Sequence, residues 1–456
     1  MHRLTAPWRG GRAGFRLTLL TVGVECTHTT APIPHVDGVP VDLDTALAHA
    51  PDAVLVHGAA AVSAVPAVPA VPAAAGRDRV LPALCLGSFV ATLTFVAPAP
   101  LFPDMAADLG VGVPLLGQFV TGMMLLSAPL ALVTGPLADR YGHRRLILVG
   151  LVAASACLFT LGFAPVFAVL LVACLFGALA DATVPGLSLA VAGTHFPGAA
   201  GRRAIGWTIG SLASAGIIGV PIVAAISQAF GWRAAFLGAG VLAIGVRVLA
   251  GRWLPDDAKR GDGSFRLGDI ADAYRPLLHD RAMLRLYGAS VLRAICWLGL
   301  LTYFGAFLDD ELGLGVGQVG LVYMLGGSGY LLGSLLAGGP LGRVPPRLLI
   351  AVANIAMAAS MGLAFSMVFG TAGTVALFPL VGLTGAVGWV GLAALLTAET
   401  PAGSGATMTL SGALFNLGAA GGAAIGGLLL ALGGYAALAL GLPLFAVAAA
   451  ALVWRR

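Results

Sequence analysis

From Val80 onward, the chain alternates between long apolar runs and short polar connections. Twelve runs of about 20 residues recur, the length at which an α-helix crosses the hydrocarbon core of a bilayer. A helix is the expected structure of each run, because lipid offers no hydrogen-bond partner to the backbone. The predicted spans are residues 80–102, 113–134, 145–163, 166–189, 205–228, 234–254, 286–308, 317–338, 347–369, 373–396, 406–431 and 435–453.

Composition supports a membrane protein and argues against other classes. Of the 456 residues, 59% are hydrophobic and 10% are charged, whereas soluble domains carry roughly 25% charged residues. The net charge is +5, and the charged residues lie at the ends of apolar runs. The sequence shows no basic face with interleaved aromatics, so nucleic acid is not expected as a partner. The five cysteines show no CxxC pairing, and no nucleotide-binding motif or cluster of catalytic residues is visible. We therefore expect no enzyme, no cofactor and no metal site.

Positive residues collect on one side of the predicted spans. The connections after even-numbered spans carry most of the arginines and lysines, whereas the opposite side holds Arg233 among acidic residues. This asymmetry predicts a multi-pass protein of the plasma membrane with both termini in the cytoplasm. The acidic residues on the opposite side are Asp104, Asp108, Asp309, Asp310 and Glu311.

The spans divide into two sets of six. The longest internal connection, residues 255–285, separates a bundle over 80–254 from a bundle over 286–456, and both bundles follow a low-complexity extension over 1–79 that contains the repeat "AVPAVPAVPAAAG". The stretch "GPLADRYGHRR" in the first bundle has a degraded copy, "GPLGRVPPR", in the second. An even number of spans per half predicts a parallel repeat, with any site at the interface of the halves near the midplane.

The turn between spans two and three concentrates charge within an apolar stretch. We expect Gly135 to allow close helix packing and Gly142 to permit a tight turn. Asp139 could meet a helix N-terminus or a basic side chain and so hold this side of the molecule shut; alternatively, the turn is a fixed topological anchor. The candidate gate residues are Gly135, Asp139, Arg140, Gly142, Arg144 and Arg145.

Span five is rich in small residues. Gly206, Gly210 and Ser214 would form one face for close packing, and Gly219 precedes Pro221, which removes a backbone donor and allows a kink. Packing alone would explain this pattern, so a functional role for Gly210, Gly219 and Pro221 is a separate hypothesis.

The pattern G-x-x-x-D-R-x-G-x-R-R after span two resembles the signature loop of the major facilitator superfamily. The span-five stretch "GSLASAGIIGVPIVAAISQAFGWRAAF" resembles the motif of its drug:proton antiporter branch, in the form typical of arabinose efflux permeases. The resemblance covers roughly residues 80–454. It implies an all-α membrane protein of two pseudo-symmetric six-helix bundles, a monomer that transports by alternating access. Ala173 departs from the arginine usual in span four, which puts that arginine's proton-transfer role in doubt here.

Two ionisable residues lie inside the spans, Asp181 in span four and Arg293 in span seven. They are about eight and seven residues from the cytoplasmic ends of their predicted spans, roughly 10–12 Å deep, and the resemblance places both spans beside the central cavity. Charges there are costly and indicate function by default. One hypothesis is that Asp181 carries a coupled proton, which its distance from Arg293 would control. The alternatives are a static pair, or an Arg293 that binds an anionic substrate group.

The sequence favours secondary active transport, most of all proton-coupled efflux of a small organic compound such as a drug, sugar or metabolite. The alternatives are a proton-coupled importer of an organic anion, or a membrane receptor without transport on the same scaffold. The expected partners are the small-molecule substrate, protons and the lipid bilayer. The weaker candidates for lining the substrate site are Trp297, Tyr303, Trp389 and Asn416.

Overall fold

The computed structural model describes residues 79–196, 198–256, 274–401 and 404–454, and these ranges are helical apart from short connections. Residues 1–78 of the predicted extension and 257–273 of the predicted linker lie outside the described residues. The described spans, labelled α1 to α12 in chain order, are Val80–Leu109, Val113–Tyr141, His143–Gly162, Phe167–His195, 198–230, Trp232–Trp253, Arg281–Asp310, Val316–Gly338, Pro346–Ser366, Gly370–Glu399, 404–432 and 435–454.

The last two spans share one long helical stretch with a reversal in it. Eleven helices of the described residues are long and apolar enough to cross a membrane, and the final one, Ala406–Trp454, has 49 residues. Its backbone leaves the helical region at Gly433 and Gly434, where φ at Gly434 is +62°. After this turn the chain doubles back, because a Cβ at Gly441 would lie 2.7 Å from the Leu429 side chain. The stretch therefore holds two spans, and the twelve predicted spans are confirmed.

Two helices are longer than the sequence predicts, and this changes the distance of their charged residues from the helix ends. Helix α4 continues to His195, so Asp181 is fourteen residues from either end, about 21 Å at 1.5 Å per residue. Helix α7 begins at Arg281, because the Asp280 side chain caps it by accepting hydrogen bonds from the second and third backbone N–H groups that follow it. Arg293 is therefore twelve residues, about 18 Å, from the start of α7. Both residues therefore lie near the middle of their helices, farther from the helix ends than from the predicted span limits.

Helix α5 contains an irregular turn ahead of its proline. Residues Ala215–Gly219 form a π-helical turn, directly before the segment that contains Pro221. Proline has no N–H to donate to the preceding turn, and a π turn is one way to accommodate that loss. The close packing expected at Gly206 and Gly210 is wrong for this structure, because a Cβ at either would meet no atom within 4 Å.

The two sets of six helices repeat one contact at equivalent places. In the first set, Arg144 at the start of α3 donates to the Gly251 carbonyl near the end of α6 at 2.5 Å. In the second set, Arg347 at the start of α9 donates to the Val453 carbonyl near the end of α12 at 3.2 Å. A cation at a helix C-terminus is favourable because it satisfies free carbonyls and the helix dipole. This shared contact supports the parallel repeat.

The buried side chains of the two halves form separate clusters, one mostly from α1–α6 and three mostly from α7–α12. The halves contact each other through α1 with α7, α2 with α11 and α5 with α8. Among the described residues, α4 and α10 make no extensive contact with the opposite half. We call the end that carries Asp104, Asp108 and Asp309–Glu311 the acidic end, and the end that carries the turn 135–145 the basic end.

The closest approaches between the halves lie toward the acidic end. A Cβ at Gly305 of α7 would lie 2.9 Å from the Pro100 Cα of α1, and a Cβ at Gly320 of α8 would lie 2.7 Å from the Ala224 Cβ of α5. Glycine is required where backbones approach this closely. The halves are therefore tightly joined at the acidic end in this conformation.

Candidate functional site

Three polar side chains form a hydrogen-bonded group at mid-membrane, which we call the Asp181 cluster. It consists of Ser127 on α2, Asp181 on α4 and Asn416 on α11. Ser127 Oγ donates to Asp181 Oδ2 at 2.5 Å, and Asn416 Nδ2 donates to the same oxygen at 2.9 Å. Asn416 Nδ2 also lies 3.0 Å from Ser127 Oγ. The cluster thus joins two helices of the first half to one helix of the second.

The position of Asp181 follows from the packing of α4 on α2. One turn before Asp181, a Cβ at Gly177 would lie 2.7 Å from the Met123 sulfur, which is one turn before Ser127. Residues four apart share a helix face, so this close approach brings the next pair, Asp181 and Ser127, into hydrogen-bond distance. A larger residue at position 177 would push the two helices apart.

The cluster is partly accessible and has no cationic partner. Ser127 is fully buried, whereas Asp181 and Asn416 keep part of their surface exposed. No basic side chain of the described residues forms an ion pair or hydrogen bond with Asp181. An ionised carboxylate only accepts hydrogen bonds, and here one oxygen accepts two. The arrangement can hold a charged carboxylate and can also receive a proton.

Arg293 lies in a different place from the one predicted. The hypothesised Asp181–Arg293 pair is not formed among the described residues, because Asp181 is bonded to Ser127 and Asn416 instead. The Arg293 side chain is 2% exposed, and its guanidinium carbon lies 5.8 Å from the centre of the Trp389 ring. Both charged groups are near mid-membrane, but they belong to separate polar environments.

The aromatic candidates fall into two groups. Trp389 packs on Phe415 with ring centres 5.1 Å apart, and Trp297 packs on Tyr330 with ring centres 5.6 Å apart. Trp297, Trp389 and their ring partners are partly exposed, which allows contact with a ligand.

Tyr303, predicted to line the substrate site, is a buried packing residue in the structure. Its side chain is fully buried, and its hydroxyl donates to the Ala423 carbonyl of α11 at 2.7 Å. The hydroxyl lies so close to Gly117 of α2 that a Cβ there would overlap it. Tyr303 is therefore a packing residue between the halves rather than a side chain that contacts substrate.

The backbone of the charged turn depends on one glycine. Gly142 has a φ of +95° and separates the end of α2 from the start of α3, a conformation that favours glycine. A Cβ at Gly135 would meet no atom within 4 Å, so the close helix approach expected there is wrong for this conformation. Arg144 forms an ion pair with Asp256, beyond the end of α6, and thereby ties the turn to its own half.

The other charged residues of the turn face solvent. Asp139, Arg140 and Arg145 are exposed. Arg140 lies over the Tyr141 ring at 5.4 Å, and Asp139 forms no ion pair or hydrogen bond with the described residues. The contact that would hold the basic end shut through Asp139 is not made here, in keeping with halves joined at the acidic end.

One residue of interest carries no clear signal in the sequence, because Ser127 is one hydroxyl among many in an apolar run. Asn354 of α9 is an amide within an apolar run, which the sequence marks as a candidate for a hydrogen bond across helices but without a partner. Only the fold shows that Ser127 contacts Asp181 and that Asn354 lies near Arg293. Within the described ranges, no group of three or more His, Cys, Asp or Glu side chains could hold a metal ion.

Two six-helix halves around a shared interface, with a carboxylate cluster near the middle of their helices, are the architecture of a membrane transporter. The sequence profile described as Major Facilitator Superfamily matches residues 84–378. The chain belongs to this superfamily and is a multi-pass transporter of small molecules rather than an enzyme.

Several known proteins resemble the chain over most of its length. It is 31% identical to a chloramphenicol resistance protein of Streptomyces lividans, over 71% of this chain and 82% of that protein. It is 29% identical to a chloramphenicol efflux pump of Mycobacterium tuberculosis, over 76% of this chain and 85% of that protein. It is 24% identical to AraJ of Escherichia coli, over 83% of this chain and 95% of that protein. Among solved structures, the nucleoside transporter NupG matches with a TM-score of 0.68 at 13% identity, over 82% of this chain and 98% of that one. This last likeness concerns the fold alone.

Proposed function

We propose that this transporter exports a small organic compound in exchange for protons, and that Asp181 is the residue that binds the proton. The observation that carries the proposal is the Asp181 cluster, in which one carboxylate oxygen accepts hydrogen bonds from both halves of the molecule. A titratable group at the interface of two moving bodies is placed to connect protonation with motion.

The chemistry of the cluster gives a reason for that connection. A hydrogen bond to a charged carboxylate is roughly twice as strong as one between neutral groups. Protonation of Asp181 would therefore weaken the contact from Asn416, which belongs to the second half, as well as the contact from Ser127. Loss of the proton would restore both. The proton thus changes the free energy of the arrangement in which α4 and α11 are joined.

Exchange follows if the exported compound and the proton favour different states of the cluster. The partly exposed rings of Trp389 and Phe415 pack on each other, and Phe415 is on the same helix as Asn416 of the cluster. A compound bound against these rings would compete with the arrangement that protonated Asp181 prefers. Its export would then be driven by proton entry.

The direction of transport rests on the relatives. Two of them are named for resistance to, or efflux of, chloramphenicol, which supports export and makes chloramphenicol the first compound to test. Import of an organic anion is a second candidate, favoured by the buried guanidinium of Arg293, which forms no ion pair or hydrogen bond with the described residues.

We place the basic end in the cytoplasm, with both termini, and the protein in the plasma membrane as a monomer. The exception to the charge asymmetry, Arg233 at the acidic end, forms an ion pair with Asp108 and donates to the Ala164 carbonyl. Its charge is therefore balanced locally, which leaves the positive-inside pattern of the remaining residues intact.

The test is a resistance screen in cells that lack their own exporters, with and without a protonophore. Cells expressing the wild type should tolerate chloramphenicol or another exported compound, and the protonophore should abolish this tolerance. Asp181→Asn should abolish it as well, whereas Asp104→Asn, which alters an exposed carboxylate at the acidic end, should not. An Asp181→Asn variant that still exports with undiminished dependence on the proton gradient would contradict the proposal.

A further inference from the structure

Three polar groups in the second half converge without hydrogen-bond partners among the described residues. Arg293 of α7 is 2% exposed and its Nε has no partner; Asn354 of α9 is 1% exposed and neither atom of its amide has one. Tyr330 of α8 packs on Trp297, one turn after Arg293, with ring centres 5.6 Å apart, and its hydroxyl forms no hydrogen bond with a described residue. Buried polar groups in proteins are nearly always satisfied, so the buried Arg293 and Asn354 side chains point to a ligand.

A glycine allows Arg293 and Asn354 to pack closely against α10. A Cβ at Gly388 of α10 would lie 3.1 Å from Arg293 Nε and 3.2 Å from Asn354 Oδ1. The next residue, Trp389, presents its ring to the guanidinium. At Gly388, a cation, an amide and an aromatic ring from three different helices therefore come close together.

The character of these groups determines what they could hold. Arginine is always charged and only donates hydrogen bonds. An Asn amide offers its NH₂ group when it rotates, and a Tyr hydroxyl donates freely. Together they form a set of donors around a positive charge, in a low-dielectric region where an isolated charge is unfavourable.

We propose that Arg293, Asn354 and Tyr330 form a binding site for a small monovalent anion beside Gly388. The anion is either a free ion such as chloride or the carboxylate of the transported compound; the second case rests on the proposed transport function, the first does not. The Trp389 ring contacts both the Arg293 guanidinium, at 5.8 Å, and the Phe415 ring of α11, at 5.1 Å. An anion bound here would thus lie close to an aromatic pair that joins α10 to α11.

The experiment measures anion binding on the purified full-length protein in detergent, without transport. The thermal unfolding midpoint and tryptophan fluorescence are followed while sodium chloride, acetate or benzoate is titrated. The wild type should show a saturable response to at least one of these anions. Arg293→Gln and Gly388→Ala should weaken the apparent affinity by about tenfold or more, as expected for loss of a charged hydrogen bond. Gly412→Ala is the matched control, because a Cβ there meets no atom within 4 Å.

Asn354→Asp gives a second, independent test. It places a fixed carboxylate beside Arg293, so the variant should unfold at a higher temperature than the wild type without added anion and should lose the saturable response. A response to chloride alone would identify a free ion, and a response to acetate and benzoate alone would identify a carboxylate; both uphold the site. No saturable response in the wild type, or an equal response in Arg293→Gln, would overturn it, and neither result bears on proton coupling at Asp181.

Discussion

At the scale of single residues, the Asp181 cluster explains why a carboxylate is tolerated at mid-membrane. Two donors bond one oxygen at 2.5 and 2.9 Å, and each bond to a charged group contributes about 1.5–3 kcal/mol. The carboxylate is therefore held without an arginine, which leaves it free to exchange a proton.

Asn416 should matter for coupling because it is the donor from the second half. Asn416→Ala removes a charge-assisted hydrogen bond of about 1.5–3 kcal/mol and should lower proton-driven transport about ten- to a hundredfold. The measurement is the initial rate in proteoliposomes under a fixed pH gradient, compared with substrate exchange without a gradient. Ser127→Ala, which removes a donor from the same half as Asp181, should reduce the ratio of driven transport to exchange less. Equal ratios in both variants would contradict a link between the halves.

At the scale of helices, the same cation-to-carbonyl contact stabilises both halves. Arg144 also pairs with Asp256, and Arg347 also pairs with Glu399 at 2.8 Å. These side chains are partly exposed, so their ion pairs are weaker than buried ones. Each contact fixes the third helix of a half to its sixth.

Arg144→Ala and Arg347→Ala should each destabilise the protein by about 1 kcal/mol, seen as a lower thermal midpoint in detergent. Because the two contacts lie in separate halves, the double variant should show the sum of the single effects. Arg145→Ala, which alters an exposed neighbour in the same turn, is the control. A double variant no less stable than either single one would argue against independent contacts.

The packing of α2 against α7 depends on Gly117. A Cβ there overlaps the Tyr303 hydroxyl, so Gly117→Ala should destabilise the closed acidic end by about 1–3 kcal/mol. Thermal unfolding measures the loss, and Gly238→Ala, where a Cβ meets nothing within 4 Å, should cause none. Adding Tyr303→Leu to Gly117→Ala should recover part of the loss; no recovery would mean that Tyr303 is not the obstacle.

The sequence predicts the helices well because hydropathy reports directly on burial in lipid. It misplaces the ends of α4 and α7, since hydropathy marks where lipid begins whereas a cap such as Asp280 marks where hydrogen bonding begins. It identifies Asp181 and Arg293 because charge is rare in these spans. It does not identify their partners, because helix rotation decides which face meets a neighbour: this rotation buries Tyr303, brings Ser127 to Asp181 and separates Asp181 from Arg293.

At the scale of the whole molecule, this conformation is one state of the proposed transport cycle. The halves are joined at the acidic end, and Asp139 in the turn at the basic end is without a partner among the described residues. In the proposed cycle, the opposite state would release the contacts around Gly305 and Gly320 and engage the turn. The Asp181 cluster lies between the two ends, where a proton would favour one state over the other.

The most direct test of proton coupling at Asp181 is proton flux through the purified protein in liposomes that contain a pH-sensitive dye. Addition of chloramphenicol, or another compound that the resistance screen identifies, should move protons through the wild type. Asp181→Asn should abolish this flux while exchange of labelled compound continues. Proton flux in Asp181→Asn equal to that of the wild type would contradict the account.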